Sequence, residues 1–552
     1  MPSARGTGAL LMAALLGTGL LATGCTARPE ASRSASQPVT MGGDLTILTS
    51  QTSLELDPAR SRSVATGPLG LVERRLTTWD VRAGQPAQVV PDLATDTGRP
   101  TRGGRVWTFT LKDDLSFADG TPVTSADIKY GVERSFAPQL TGGLGYHRSL
   151  LEGGTGYAGP YGGRQLKSIQ TPDAKTIVFT LSAHVADWPW VVSLPAFAPV
   201  PKTSDDPAHY GQRPAATGPY RVKSAVVGKT VTLERNPHWV ATTDPVRTAG
   251  PDTITFRLGQ DSTTAARALL ADTGTARASV GADPVPPAQL GQATAESAAS
   301  RLVTSAPDTL SFLALDTTRG ALRDVRVRQA LEYAVDRKAF VAAAGGAVSG
   351  TAATTLLPPG IPGRTSYDRY PAGDSGNVAK ARQLLARAGH AGDLQLSLSV
   401  TDDPGSLAEG RALQQALARA GVTVSLRPRA AASGGGDTGT DLYLGGWQPD
   451  FPRAARVLEP LFASDEIGRG GSNVSRYANP AVDTLIRQAT DATDAATAAS
   501  LWARAEQLIM ADAPVVPLAY TRSSFLRGSS VQSFFVGTFP SEPNYLKVTV
   551  RQ

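Results

Sequence analysis

The chain has 552 residues, of which 41% are hydrophobic and 18% charged, with a formal charge of +6 and a single cysteine. That composition belongs to a globular protein, and the length exceeds the ~250–300 residues at which one core stops growing, so two lobes or more are expected. Lys and Arg are dispersed, with no basic run and no aromatic-interleaved basic segment, which argues against nucleic acid as a partner.

In chain order, Arg5 precedes an apolar run from Ala9 to Leu21, and the small residues Ala22, Thr23 and Gly24 follow. This is the layout of a secretory signal, residues 1–24. The run is too short to cross a bilayer comfortably, and no other stretch approaches the ~20 apolar residues a spanning helix needs. Small residues directly before Cys25 resemble a bacterial lipoprotein lipobox, with Ala22 standing where a larger aliphatic residue is usual. The resemblance implies cleavage before Cys25 and a diacylglyceryl group on its sulfur. A lone Cys is otherwise read as a small buried hydrophobe, but residue 25 borders a polar tract with no core to bury it. Two acyl chains, at about 0.8 kcal/mol per buried methylene, hold a domain at a membrane where one is marginal. Residues 25–42 therefore read as the lipidated Cys and a flexible, Pro-containing tether, with folding expected to begin near Gly43.

Further along, "RVWTFTLK" alternates Trp107, Phe109 and Leu111 against Val106, Thr108 and Thr110, the period of a strand with one buried face. Asp119, Gly120 and Pro122 then make a turn. Thr124 caps a helix with Asp127 at its N3 position and with Ile128, Val132 and Phe136 on one face. Asp324 caps a helix carrying Val327, Ala330, Leu331 and Ala334; another holds Val378, Ala381, Leu384 and Leu385 and stops at Gly389. Between 394 and 450 the pattern is strand (Leu394 to Val400), helix through Leu413 and Leu417 to Gly421, strand (Val422 to Leu426), Gly-rich loop, and the short run "DLYLGGW". Ser406 and Glu409 read as the capping box opening that helix. The succession indicates an α/β unit. Ligands of such sheets sit beyond the carboxyl ends of strands, which puts Gly445 to Asp450 in position to line a cleft. Helices around Val482, Leu485 and Ile486 and around Trp502, Ala505 and Leu508 precede the strand-like "PVVPLAY".

Catalytic and cofactor motifs do not emerge. The histidines at 147, 184, 209, 238 and 390 are scattered, and no cysteine lies outside the signal boundary, so zinc has no obvious ligand set. "GTGYAG" at 154–159 has G-x-G-x-x-G spacing, but Pro160 follows where a helix should open, so it reads as a Gly-rich surface loop. "GKT" at 228–230 lacks the phosphate-loop glycine, since position 223 is Lys. No metal, cofactor or catalysis is expected, although a hydrolase triad is recognised by geometry and not by order.

"FADGTPVTSADIKYGVERSF" (117–136) resembles the signature of the extracytoplasmic solute-binding proteins of ABC importers for peptides and nickel, family 5. Similar segments continue in order: "LELDPA" (54–59), "TGPY" (217–220), "ERNPHW" (234–239), "DVRVRQALEYAVDR" (324–337), "GGWQPDFP" (445–452), "SRYANPAVDTLI" (475–486) and "DAPVVPL" (512–518). The resemblance covers essentially all of 43–552. It implies an α/β, two-lobed periplasmic-binding-protein-like fold of the class II, cluster C type, with an extra subdomain inserted in lobe one. Lobe one would hold 43–305 plus 522–552, with the insertion near 66–186, and lobe two would hold 306–521.

In peptide-binding members the Asp three positions after the Trp of the G-W motif pairs with the ligand's amino terminus. Here that is Asp450, with Gly445, Gly446 and Trp447 beside it. A carboxylate in a water-poor cleft makes a charge-assisted bond to an ammonium, and peptide main chain would add as a strand. Asp450 after Pro449 also suits a plain turn residue, and Trp447 and Tyr443 suit core aromatics. Leu444 stands where some oligopeptide binders carry an Arg for the ligand's carboxylate, which leaves Arg364 and Arg369 as candidates. The expectation is a monomeric lipoprotein anchored outside the cytoplasm, capturing peptides without cofactor and delivering them to an ABC permease and its ATPase subunits. A nickel chelate, haem or oligosaccharide ligand, or a sensor or adhesion role on the same fold, stands as the alternative, with a secreted hydrolase as a third class.

Overall fold

In the computed structural model, which describes residues 41–430, 439–468 and 471–551, strand Asp44–Leu48 runs parallel to both its neighbours, Ser279–Gly281 and Thr253–Arg257. Thr230–Arg235 and Tyr220–Val226 complete this five-stranded sheet as an antiparallel meander. "GKT" closes the turn between those last two strands, with Thr230 already the first strand residue and Gly228 at φ +67° where a side chain would be strained. The signal, Cys25 and the tether up to residue 40 lie outside the described residues, as does most of the Gly-rich loop after 430. No described helix is long and apolar enough to cross a membrane.

A four-stranded sheet forms the subdomain inserted into this lobe, in the order Arg99–Thr101, Val106–Thr110, Thr176–Thr180, Ile169–Gln170. Trp107 and Phe109 point into its core, as the alternation requires, beside Trp79, Phe179, Trp188 and Phe197. Helix Ser125–Arg134 starts with the predicted capping box: the Thr124 N–H donates to Asp127 Oδ2 at 2.8 Å, while the Thr124 side chain accepts from the Asp127 amide. Ile128 and Val132 are buried; Phe136 lies one residue past the Ser135 C-cap but joins the same core. No helix opens after "GTGYAG"; two short 3-10 turns follow each other, and Gly159 packs so closely on Ala137 that a Cβ would stand 2.9 Å from it.

The second lobe is built on a six-stranded sheet ordered Gly350–Ala352, Val515–Thr521, Thr309–Leu315, Leu442–Trp447, Leu394–Thr401, Val422–Arg429. Leu394–Thr401 and Val422–Arg429 pair in parallel over their whole length, from Leu394 against Val422 to Thr401 against Arg429. Helix Pro404–Arg419 crosses between them, burying Leu413 and Leu417. Its start corrects the sequence reading. The cap is Asp403, whose carboxylate accepts from the Ser406 amide at 2.9 Å, with Pro404 at the first helical position. A carboxylate followed by Pro sets the helix start earlier than the Ser406–Glu409 pair. Helices Val325–Ala334, Val378–Arg387, Pro480–Asp491 and Ala495–Asp512 flank the sheet as the periodicity predicts, and Asp324 caps the first by accepting from Arg326 N. The chain passes between the two sheets through a short antiparallel ladder, Leu302–Thr304 against Ser524–Leu526.

Candidate functional site

Strand Leu442–Trp447 alternates Leu442 and Leu444 into the core beneath the sheet. On one side it pairs along its whole length with Thr309–Leu315, from Leu310 opposite Trp447 to Leu315 opposite Leu442. On the other it meets Leu394–Thr401 only at Leu398–Leu442 and Ser399–Tyr443. Beyond Tyr443 the two parallel strands diverge, so among the described residues the main-chain edge from Leu444 to Trp447 has no strand beside it. This is the place where a sheet of this kind opens a crevice.

The glycines at this edge have different reasons to be glycine. A Cβ on Gly445 would stand 2.5 Å from the Tyr443 ring and 3.2 Å from Phe312 Cζ, so packing within the lobe excludes it. Gly446 is exposed, and the nearest atom to its Cβ position, Leu310 O, is 3.8 Å away; the lobe itself would admit a methyl group there. Trp447 is half-buried against the second-lobe core and donates from Nε1 to Arg456 O at 2.6 Å. Tyr443 packs on the same core, with the Arg429 guanidinium over its ring at 4.8 Å.

A cavity of about 320 Å³ lies at the end of this strand. Gln448 forms its second-lobe wall; Thr49, Gln51 and Leu54 approach from the first lobe, and Ser523, Ser541 and Glu542 from the C-terminal segment. Gln448 is held in place by donating from Nε2 to Asp308 Oδ2 and to Ser541 Oγ, both at 2.9 Å, while the Ser541 amide donates to the same Asp308 oxygen at 2.6 Å. Burial pushes the Asp308 carboxyl above its ordinary range, and these donors oppose the shift. A second hollow, of about 230 Å³, lies between Leu54, Leu56, Pro207, Val226 and Leu258, all of the first lobe, and takes no residue from the second.

The loop after Gln448 docks onto the inserted subdomain. Phe451 is 1% exposed inside that subdomain's core, stacked on Trp190 at 6.1 Å and 12° and edge-on to Tyr146 at 5.9 Å. Arg453 pairs with Asp187 at 2.7 Å and lies over the Trp190 ring. The Tyr146 hydroxyl donates to Asp450 Oδ2, and burial together with that negative charge pushes the hydroxyl pKa up. Arg456 covers the other side, 4.9 Å from the Tyr146 ring centre.

The predicted site residues thus separate in space. Gly445, Gly446 and Trp447 share the open strand end. Asp450 is half-buried against Tyr146 and forms no part of the cavity wall. Arg364 donates to Leu357 O and lies over Tyr520, while Arg369 is exposed; neither borders the cavity. Sequence reasoning missed Gln448, Tyr146, Phe451 and Glu542, because Tyr146 reaches the Asp450–Phe451 segment across 304 positions and Gln448 reaches the Ser541 segment across 93. An apolar residue lodged in the turn "PDFP" was the one local signal.

Comparison with known proteins follows the same lines. The profile of the bacterial extracellular solute-binding proteins, family 5 (middle part), matches residues 88–469. A probable D,D-dipeptide-binding periplasmic protein of Escherichia coli is 28% identical over 442 residues, 78% of each chain. A glutathione-binding protein of Shigella dysenteriae is 25% identical over 446 residues, 78% of this chain and 81% of its own. Among solved structures, clavulanic acid biosynthesis oligopeptide binding protein 2 is 31% identical, with a TM-score of 0.85, over 93% of this chain and 96% of that one. With its two-lobed α/β architecture and a profile match over more than half its length, the chain belongs to the bacterial extracellular solute-binding proteins of family 5.

Proposed function

We propose that this protein is the extracytoplasmic substrate-binding component of an ABC importer, a lipoprotein anchored through Cys25 that captures peptides between its lobes and hands them to the permease, itself performing no catalysis. The observation that carries the reading is the inter-lobe cavity at the end of strand Leu442–Trp447, whose outer edge stops pairing at Tyr443. An extended peptide adds to such an edge through main-chain hydrogen bonds, which recognise backbone irrespective of sequence. Gly446, exposed and with room around it, lets a ligand backbone approach. Asp450 takes the peptide ammonium on Oδ1, which has no hydrogen bond among the described residues, while the Tyr146 hydroxyl holds Oδ2. The names of the relatives, which speak of dipeptide, glutathione and oligopeptide binding, support a peptide-like ligand. In this reading the lobes comprise 43–305 plus 522–552 and 306–521, the insertion spans 66–186, the ladder Leu302–Thr304 with Ser524–Leu526 is the hinge, and the protein acts as a monomer.

Mass spectrometry of solutes released by denaturing the natively purified full-length protein tests this reading, in parallel with Asp450→Asn. Short peptides from the parent and a depleted set from the variant are expected. A single non-peptide species, or peptides fully retained by the variant, would overturn it.

A further inference from the structure

The charge of the inter-lobe cavity is one-sided. Two carboxylates, Asp283 and Glu542, stand in its wall, a third, Asp308, lies directly behind Gln448 and Ser541, and no Lys, Arg or His belongs to the lining. In a protein with a formal charge of +6 this is a local reversal of sign. The three acids are not equally engaged. Asp283 is held by the Ser50 amide at 2.6 Å and the Ser50 hydroxyl at 2.9 Å, and Asp308 by Gln448 and Ser541. Glu542 is solvent-exposed on the cavity wall and has neither a hydrogen bond nor an ion pair among the described residues. A carboxylate so placed is free to take a cationic partner presented at the cavity through a charge-assisted hydrogen bond.

The other walls are aromatic and aliphatic: Phe256, Phe525, Tyr545, Leu54 and Pro284. Phe256 and Tyr545 meet edge to face at 6.3 Å. An acidic end beside apolar and aromatic walls is the complement of a cation carried on an aliphatic stem, because aromatic faces attract cations and accommodate methylenes. The volume, equivalent to about ten water molecules, has room for a long side chain.

We infer that this cavity selects a basic side chain, so that the preferred ligands are cationic peptides whose guanidinium or ammonium group is received by Glu542. The inference rests on the reading of the cleft as a peptide site and deepens it by naming the ligand class. Backbone capture at the strand edge is indifferent to sequence; the cavity adds a preference at one position of the ligand.

Calorimetric titration of the full-length protein, freed of co-purified solutes by reversible unfolding, distinguishes the two levels. The probes are Ala-Arg-Ala, its neutral isostere Ala-citrulline-Ala, and agmatine, a non-peptide cation. The arginine peptide should bind at least about tenfold more tightly than the citrulline peptide, the ratio that a charge-assisted hydrogen bond supports. Glu542→Gln, which keeps shape and removes charge, should bring the ratio towards one at unchanged melting temperature. Equal affinities for the two peptides in the parent, or a ratio unaffected by Glu542→Gln, would overturn the inference and leave peptide capture standing. Binding of agmatine without either peptide would uphold the cation preference and overturn the peptide reading. Binding of none of the three would overturn both.

Discussion

Replacing Phe451 by alanine separates two kinds of stability in this molecule. The residue belongs by sequence to the second lobe, in the loop between strand Leu442–Trp447 and helix Ala455–Phe462, but its ring is buried in the core of the first lobe's insertion against Trp190 and Tyr146. A buried Phe→Ala change costs about 3–5 kcal/mol. The neighbouring Arg453–Asp187 pair is about one-third exposed on both sides and contributes at most about 1 kcal/mol, so the ring dominates the contact. Because the ring links two lobes and does not fill its own, the cost falls on the equilibrium between docked and separated lobes. About 3 kcal/mol corresponds to roughly a hundredfold shift toward the separated form. Single-molecule energy transfer reads this directly with dyes on Val227→Cys, in the first lobe at 96% exposure, and Leu508→Cys, in the second at 39%, in a Cys25→Ser background. Phe451→Ala should lengthen the inter-lobe distance while the melting temperature changes little. An unchanged distance with a large fall in melting temperature would refute the argument, since Phe451 would then serve the folding of a single unit.

Two further outcomes follow from the packing. Gly445→Ala places a methyl group within 2.5 Å of the Tyr443 ring and should destabilise by about 1–3 kcal/mol in urea unfolding, whereas Gly446→Ala should unfold like the parent and instead lose affinity for tripeptides. Burial holds the Glu506 carboxyl up at about 7, opposed by the Leu356 and Leu357 amides that donate to its Oε1 at 2.7 and 2.9 Å. The folded state thus keeps a proton that the unfolded chain has lost, so stability falls as pH rises from about 4.5 to about 7. Glu506→Gln, which retains the acceptor oxygen, should narrow the difference in unfolding free energy between pH 5 and pH 7.5 by on the order of 1–3 kcal/mol; an undiminished difference would locate the titration elsewhere, for instance at Glu332, also raised to about 7.

What the sequence made legible is what local physics determines. The strand–helix–strand run from Leu394 to Arg429 forms as its periodicity requires, and Thr124 and Asp324 cap the helices that follow them. The misplaced cap at Ser406 is a local error of the same scale: Asp403–Pro404 lies three residues upstream of a pair that matches the capping pattern equally well. The open strand end at Gly445–Trp447 was also within reach, because a short apolar run followed by two glycines marks where a strand leaves the sheet.

Glu542 and Phe451 were not within reach, and the reason is physical. Glu542 sits in "PSEPNY", a segment with no helical or strand period, and its importance arises from the absence of a partner, which no sequence window displays. Phe451 is apolar in a turn, where apolar residues are ordinarily solvent-facing exceptions, and it finds its core only across the boundary between lobes. Both residues flank Gln448 in the folded protein, one through the cavity wall and one three positions along the docking loop. A ligand seated against Gln448 therefore bears on the same short loop that carries Phe451 into the first lobe. Binding and lobe docking share one structural element, so a solute that contacts Gln448 only in the docked form stabilises that form by its differential affinity. With that coupling, Phe451→Ala weakens ligand binding by the factor by which it lowers the docked fraction of the unliganded protein, although Phe451 borders no part of the cavity.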